Sequence, residues 1–98
     1  MEKQAKKIAE LLKILANENR LLILCALIDS PHTVGEIYKH TPNITHSALS
    51  QHLNYLKTAG VLDSEKSGMN VVYRIADERI IALIVTLKKY YCKGTGRA

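Results

Sequence analysis

In THSALSQHLNYLKTAGVL, residues 45–62, four short hydrogen-bonding side chains recur at helical spacing: Ser47, Ser50, Gln51 and Asn54. At 100° per residue they share one side with Thr58, while Ala48, Leu49, His52, Leu53 and Leu56 share the other. An ordinary solvated helix face carries Lys and Glu. These residues are short enough to let another molecule approach closely, and each can donate or accept at a base edge or a phosphate. Gln pairs bidentately with adenine, and Ser serves bases or phosphates. His46, Ser47, Ser50 and Gln51 lie toward the N-terminal half, the end that reads bases when a helix enters a major groove. Free N–H groups at that end also favour phosphate. For this stretch alone, a solvated face that happens to be uncharged stays open. His52 falls on the apolar side, where a buried hydrogen bond suits it better than contact with DNA.

A second cluster follows. Lys66 stands beside Ser67, Gly68, Met69 and Asn70, which puts a cation and flexible backbone at a tip able to reach phosphate or the minor groove. Lys57 and Arg74 add charge nearby.

The elements that must position these groups are legible from periodicity. Ala5, Ile8, Leu11, Leu12 and Leu15 form one stripe of a helix over residues 3–16. Asn-Glu-Asn at 17–19 breaks it and can cap the next helix, RLLILCALID, which is apolar almost all round and so central in the core. Ser-Pro-His-Thr at 30–33 reads as a turn. Thr33 with Glu36 has the capping-box spacing and starts a short helix to about His40. Thr-Pro-Asn at 41–43 separates it from the polar-faced helix, which stops at Gly60 as a C′ residue. VLDSEK and VVYRIA flank a turn at SGMN and read as a β-hairpin. A last helix covers ERIIALIVTLKKYYC, and the tail KGTGRA is expected to fray. The fold class is therefore mainly α with a small β-hairpin: four helices, two strands and a fifth helix. A helix-turn-helix followed directly by a hairpin is a winged helix-turn-helix.

Ninety-eight residues make a single domain, 1–98, and a short chain gains stability from association. With five Tyr, no Trp and no Phe, the core must be aliphatic. The net charge of +5 favours an anionic partner such as nucleic acid. No apolar run approaches the roughly 18 residues of a membrane span, and the first residues lack a signal peptide's apolar stretch. No membrane partner and a cytoplasmic location are expected, with Cys25 and Cys92 as reduced thiols. An enzyme is not expected: there is no Cys-x-x-Cys pair, no Gly-rich cofactor loop and no nucleophile beside a base. No cofactor is expected either.

LKILANENRLLILCALI, TVGEIYKHTPNITHSALSQHLNYLKTAGVL and SGMNVVYRIAD resemble the ArsR/SmtB family of small winged-helix repressors, over roughly residues 8–92. The resemblance implies a transcriptional regulator that binds a double-stranded DNA operator. It implies a homodimer joined by its first and last helices, a recognition helix at about 45–57 and a wing at about 63–74. It also implies control by a small inorganic signal. The last helix supports a seam by its composition: Ile80, Ile81, Leu83, Ile84, Val85 and Leu87 cover more than one side, with Ile84 in the densest part.

Two metal sites known in the family do not carry over. Thr33 and Gly35 occupy the positions of its Cys-x-Cys pair, and the last helix offers Asp77 but no His. The four His residues have no paired ligand spacing. The remaining pattern, one Cys in the second helix and one at the end of the last, resembles the HlyU/BigR-like thiol-sensing subgroup. That implies a Cys25/Cys92 switch answering reactive sulfur or an oxidant. Lys88, Lys89 and Lys93 favour a Cys92 thiolate, whereas its place at a helix C-terminus disfavours it. Cys25 within LLILCALI also fits a small core hydrophobe. A metal-responsive repressor, or a winged-helix module for protein or RNA without a sensing site, is the alternative.

Overall fold

The computed structural model describes residues 1–91. In chain order it contains α1 (Glu2–Leu15), α2 (Glu18–Leu27), β1 (His32–Thr33), α3 (Val34–Tyr38), α4 (His46–Thr58), β2 (Leu62–Ser67), β3 (Asn70–Ile75) and α5 (Glu78–Tyr91). Cys92 and the tail expected to fray lie outside the described residues.

Local chemistry sets most of the boundaries. The Asn17 side chain accepts from the Arg20 N–H and opens α2. Thr33 Oγ1 accepts from the Glu36 N–H at 3.2 Å while Glu36 returns its carboxylate to the Thr33 N–H at 2.9 Å, a complete capping box. Thr45 opens α4 by accepting from the Ala48 N–H at 3.1 Å. Gly60, at φ 83°, follows the last helical residues, and the Val61 N–H reaches back to the Leu56 carbonyl at 2.9 Å.

The hairpin has one addition. His32 and Thr33 pair antiparallel with Tyr73 and Val72, so the sheet has three strands in the order β1-β3-β2. The segment read as a turn is thus also an edge strand. Two residues are too few to show a period, and their pairing exists only because the fold brings β3 beside them. α3 ends at Tyr38, short of His40.

The core is aliphatic, as the lack of Trp and Phe requires. Ile23 and Leu24 from α2, Ile37 from α3, Leu49, Leu53 and Leu56 from α4, and Ile80 and Ile84 from α5 are all buried. Ile84, expected at a seam between chains, is 1% exposed within its own chain. It lies one turn after Ile80, and together they form the stripe that α5 turns inward. Val85 and Leu87 are left outside, as are Ile8 and Leu12 on α1, of which only Leu15 is buried.

Candidate nucleic-acid interface

Burial of Leu49, Leu53 and Leu56 fixes the rotation of α4 and turns its other face to solvent. Ser47, Ser50, Gln51 and Asn54 are all exposed. Among the described residues, none of these four side chains is hydrogen-bonded within the protein, so their donors and acceptors face water. His46 differs. Its ring stacks on Tyr38 of α3, with centroids 3.8 Å apart and planes 30° from parallel. The Tyr38 hydroxyl donates to the Ile44 carbonyl at 3.0 Å. Tyr38 thus ties α3 both to the end of the connecting segment and to the first residue of α4. Tyr38 is a positioning residue that the sequence pattern did not single out. Its aromatic spacing to His46 spans a turn and has no helical period.

On the hairpin the candidate cations divide. Lys66 is exposed near the tip, where Ser67 pairs with Asn70 across the turn. Arg74 lies nearer the base, opposite Asp63, roughly 13 Å along the strand from Asn70. Its guanidinium donates to Asp63 Oδ2 at 2.9 Å and Glu65 Oε1 at 3.3 Å. Asp63, Glu65, Lys66 and Arg74 sum to no net charge, so the wing is locally neutral with its cation at the tip. Lys57 Nζ donates to Ser64 Oγ at 2.7 Å, which binds the end of α4 to β2. The structure thus brings His46, Ser47, Ser50, Gln51 and Asn54 onto one helix and Lys66 and Asn70 to one tip. Lys57 and Arg74 are engaged within the protein between those two groups.

A second unforeseen cluster joins α2 to α4. The Arg20 guanidinium lies 4.3 Å from the centre of the Tyr55 ring, a cation–π contact. Arg20 Nε is buried without a hydrogen-bond partner among the described residues. His52 is half-buried here, and burial first, then the Arg20 charge, hold its pKa below the ordinary histidine value. The hydrogen bond expected for His52 is not formed among the described residues.

The thiol region lies elsewhere. Cys25, half-buried, lines an apolar groove of about 560 Å3 between α2 and α5, together with Leu21, Leu22, Ile84, Leu87 and Tyr91. Tyr91 is the last described residue and immediately precedes Cys92. No group of three or more His, Cys, Asp or Glu suited to a metal ion occurs among the described residues. No helix among them is long and apolar enough to cross a membrane.

Comparison with known proteins places this geometry. Residues 17–64, from the cap of α2 into β2, match the family described as bacterial regulatory protein, arsR family. The transcriptional activator HlyU of Vibrio cholerae is 40% identical over 94 residues, covering 96% of this chain and 86% of its own. The solved structure of reduced HlyU superposes with a TM-score of 0.89, covering 95% of this chain and 97% of that one. A biofilm growth-associated repressor of Agrobacterium fabrum is 36% identical, covering 94% of this chain and 78% of its own. The homodimeric winged helix-turn-helix DNA-binding domain of Mb0332 from Mycobacterium bovis, a possible ArsR-family regulator, is 26% identical with a TM-score of 0.76. It covers 99% of this chain and 89% of that one. With sequence relatives and solved structures agreeing over nearly its full length, the chain belongs to the ArsR family of DNA-binding transcriptional regulators and carries their winged helix-turn-helix fold.

Proposed function

We propose that this regulator reads its operator with Ser47, Ser50, Gln51 and Asn54 of α4 in the major groove, His46 acting at the helix start. Lys66 and Asn70 meet the backbone or minor groove from the wing tip, while Lys57 ties α4 to β2 and Arg74 ties β3 to β2 within the wing. The observation that carries this reading is the division of α4: one face buried in the core, the other offering donors and acceptors left without hydrogen bonds among the described residues. Gln51→Ala is expected to weaken binding to a selected duplex by about 1–3 kcal/mol with the fold intact. Lys66→Ala is expected to weaken selected and random duplexes alike and to lower the salt slope by about one. Wild-type affinity in both variants, at matched salt, refutes the assignment.

The whole chain, 1–98, acts in this reading as one cytoplasmic DNA-binding unit with association helices at both ends. Ile8 and Leu12 on α1 and Val85 and Leu87 on α5 are apolar and 37–49% exposed, which supports a homodimer seam. The homodimeric Mycobacterium bovis relative supports the same assembly.

Cys25 and Cys92 form the switch. The supporting observation is the groove: both Cys25 and Tyr91, which precedes Cys92 in the chain, line it. A two-electron oxidant joins the two thiols in a direct disulfide with loss of both thiol protons, whereas a polysulfide gives one sulfur atom to an extended bridge, accepts the two electrons and the protons, and leaves as hydrosulfide or a shorter polysulfide. A direct bridge needs Cα atoms within about 7 Å. Tying α5 to α2 changes the placement of the protomers, and half-sites about 34 Å apart do not tolerate displaced recognition helices. Treatment is expected to give an intramolecular link by intact mass and a loss of operator affinity. Cys25→Ser and Cys92→Ser are each expected to remove that response. Separate adducts on the two thiols, with no link, refute the switch.

A further inference from the structure

Met69 is 97% exposed, the most exposed large apolar side chain among the described residues. It is the second residue of the two-residue turn between Ser67 and Asn70. Gly68, at φ 64°, already meets the turn's demand for positive φ, and the following position ordinarily takes a small polar residue. Neither turn chemistry nor packing requires a long thioether there. Its neighbours Lys66, Ser67 and Asn70 are polar and exposed. The hairpin follows α4 after only Ala59, Gly60 and Val61, and the Lys57–Ser64 bond pins the two together. A helix seated in the major groove therefore carries this tip toward the adjacent minor groove, where apolar wedges such as Met enter beside cations.

We infer that Met69 is the wing's apolar contact with the minor groove, and that oxidation of its thioether is a second oxidant input to DNA binding, separate from the cysteines. The inference rests on the reading of α4 and the hairpin as the DNA face. In the step, a peroxide transfers one oxygen atom to the sulfur. The O–O bond breaks, the sulfur is oxidised by two electrons to the sulfoxide, and hydrogen peroxide leaves as water. A flexible apolar side chain becomes a polar one, and its contact with the groove walls is lost.

The test uses the full chain carrying Cys25→Ser and Cys92→Ser, and a duplex that the wild type enriches from a randomised pool. The sequence holds two methionines, and Met1, 86% exposed, is an internal control. Hydrogen peroxide is expected to oxidise both in the free protein, while bound duplex slows Met69 several-fold and leaves Met1 unchanged. Sulfoxide at residue 69 is expected to lower affinity roughly fivefold to tenfold, the scale of one or two methylenes' worth of lost apolar contact. Met69→Gln should lose a comparable amount, and peroxide should no longer change the affinity of Met69→Leu, whatever its starting value. Equal oxidation rates at Met69 with and without duplex, or undiminished affinity after full oxidation there, overturn the inference. If Gln51→Ala and Lys66→Ala weaken binding while the Met69 arms are null, only this inference falls. If all of these variants bind like wild type, the DNA-face reading falls with it.

Discussion

Leu12→Ala should weaken the proposed homodimer without harming the protomer. Leu12 lies on α1 with 49% of its surface in water, one turn after Ile8 at 48%, and neither belongs to the buried core. Full burial of a Leu side chain is worth about 1.5–3 kcal/mol, so covering the exposed half recovers about 1 kcal/mol. A two-fold seam counts each residue twice. The loss is then about 2 kcal/mol per dimer, roughly thirtyfold in its dissociation constant. Alanine keeps the helix propensity of α1 high, so the change acts on contact rather than on helix formation. Leu12→Glu should act more strongly by leaving an unpaired charge in the seam. Sedimentation equilibrium measures the constant, and far-UV circular dichroism checks the fold. A wild-type chain that is monomeric at roughly tens of micromolar, or a Leu12→Glu chain that dimerises like wild type, refutes the reasoning. Ile84→Glu provides the contrast. At 1% exposure that side chain is core, so the charge should abolish cooperative melting rather than yield folded monomers.

The Tyr38–His46 stack predicts coupling in DNA binding. A double-mutant cycle of Tyr38→Ala and His46→Ala should show non-additivity of about 0.5–1.5 kcal/mol, with partial rescue by Tyr38→Phe, which keeps the ring; additive losses would remove the positioning role. The depressed pKa of His52, caused by burial and then by Arg20, means the unfolded chain takes up a proton there before the folded one. Stability from this group is present above the ordinary value of about 6.5 and declines as pH falls toward the folded pKa. Chemical denaturation across pH 5–8 (about the range in which His titrates) should show this slope, and His52→Gln should flatten it. An unchanged slope would place the proton uptake on another group.

Much of the candidate interface was legible along the chain because its cause is local. Thr33 with Glu36, Asn17 before α2 and Gly60 after α4 act within one helical turn, and each behaves in the structure as its residue type requires. The polar face of α4 was readable for the same reason: a period of 3.6 assigns sides to a helix before anything packs on it. Charge was less legible. Lys66 and Arg74 look alike in sequence, but strand pairing sets Arg74 opposite Asp63 and leaves Lys66 at the tip.

The sequence by itself determined the succession of helices and hairpin, the aliphatic core, the capped starts of α2 and α3 and the polar face of α4. Each follows from residue type and spacing over a few positions. Only the tertiary structure decided that Tyr38 holds His46, that Arg20 crosses from α2 to Tyr55, that His32 and Thr33 become an edge strand, and that Ile84 turns inward while Val85 turns out. The last helix shows why. It is apolar on more than one side, so its own periodicity allows several rotations. Which side is buried depends on the shape of the surface it meets, and that surface is built by residues far away in the chain.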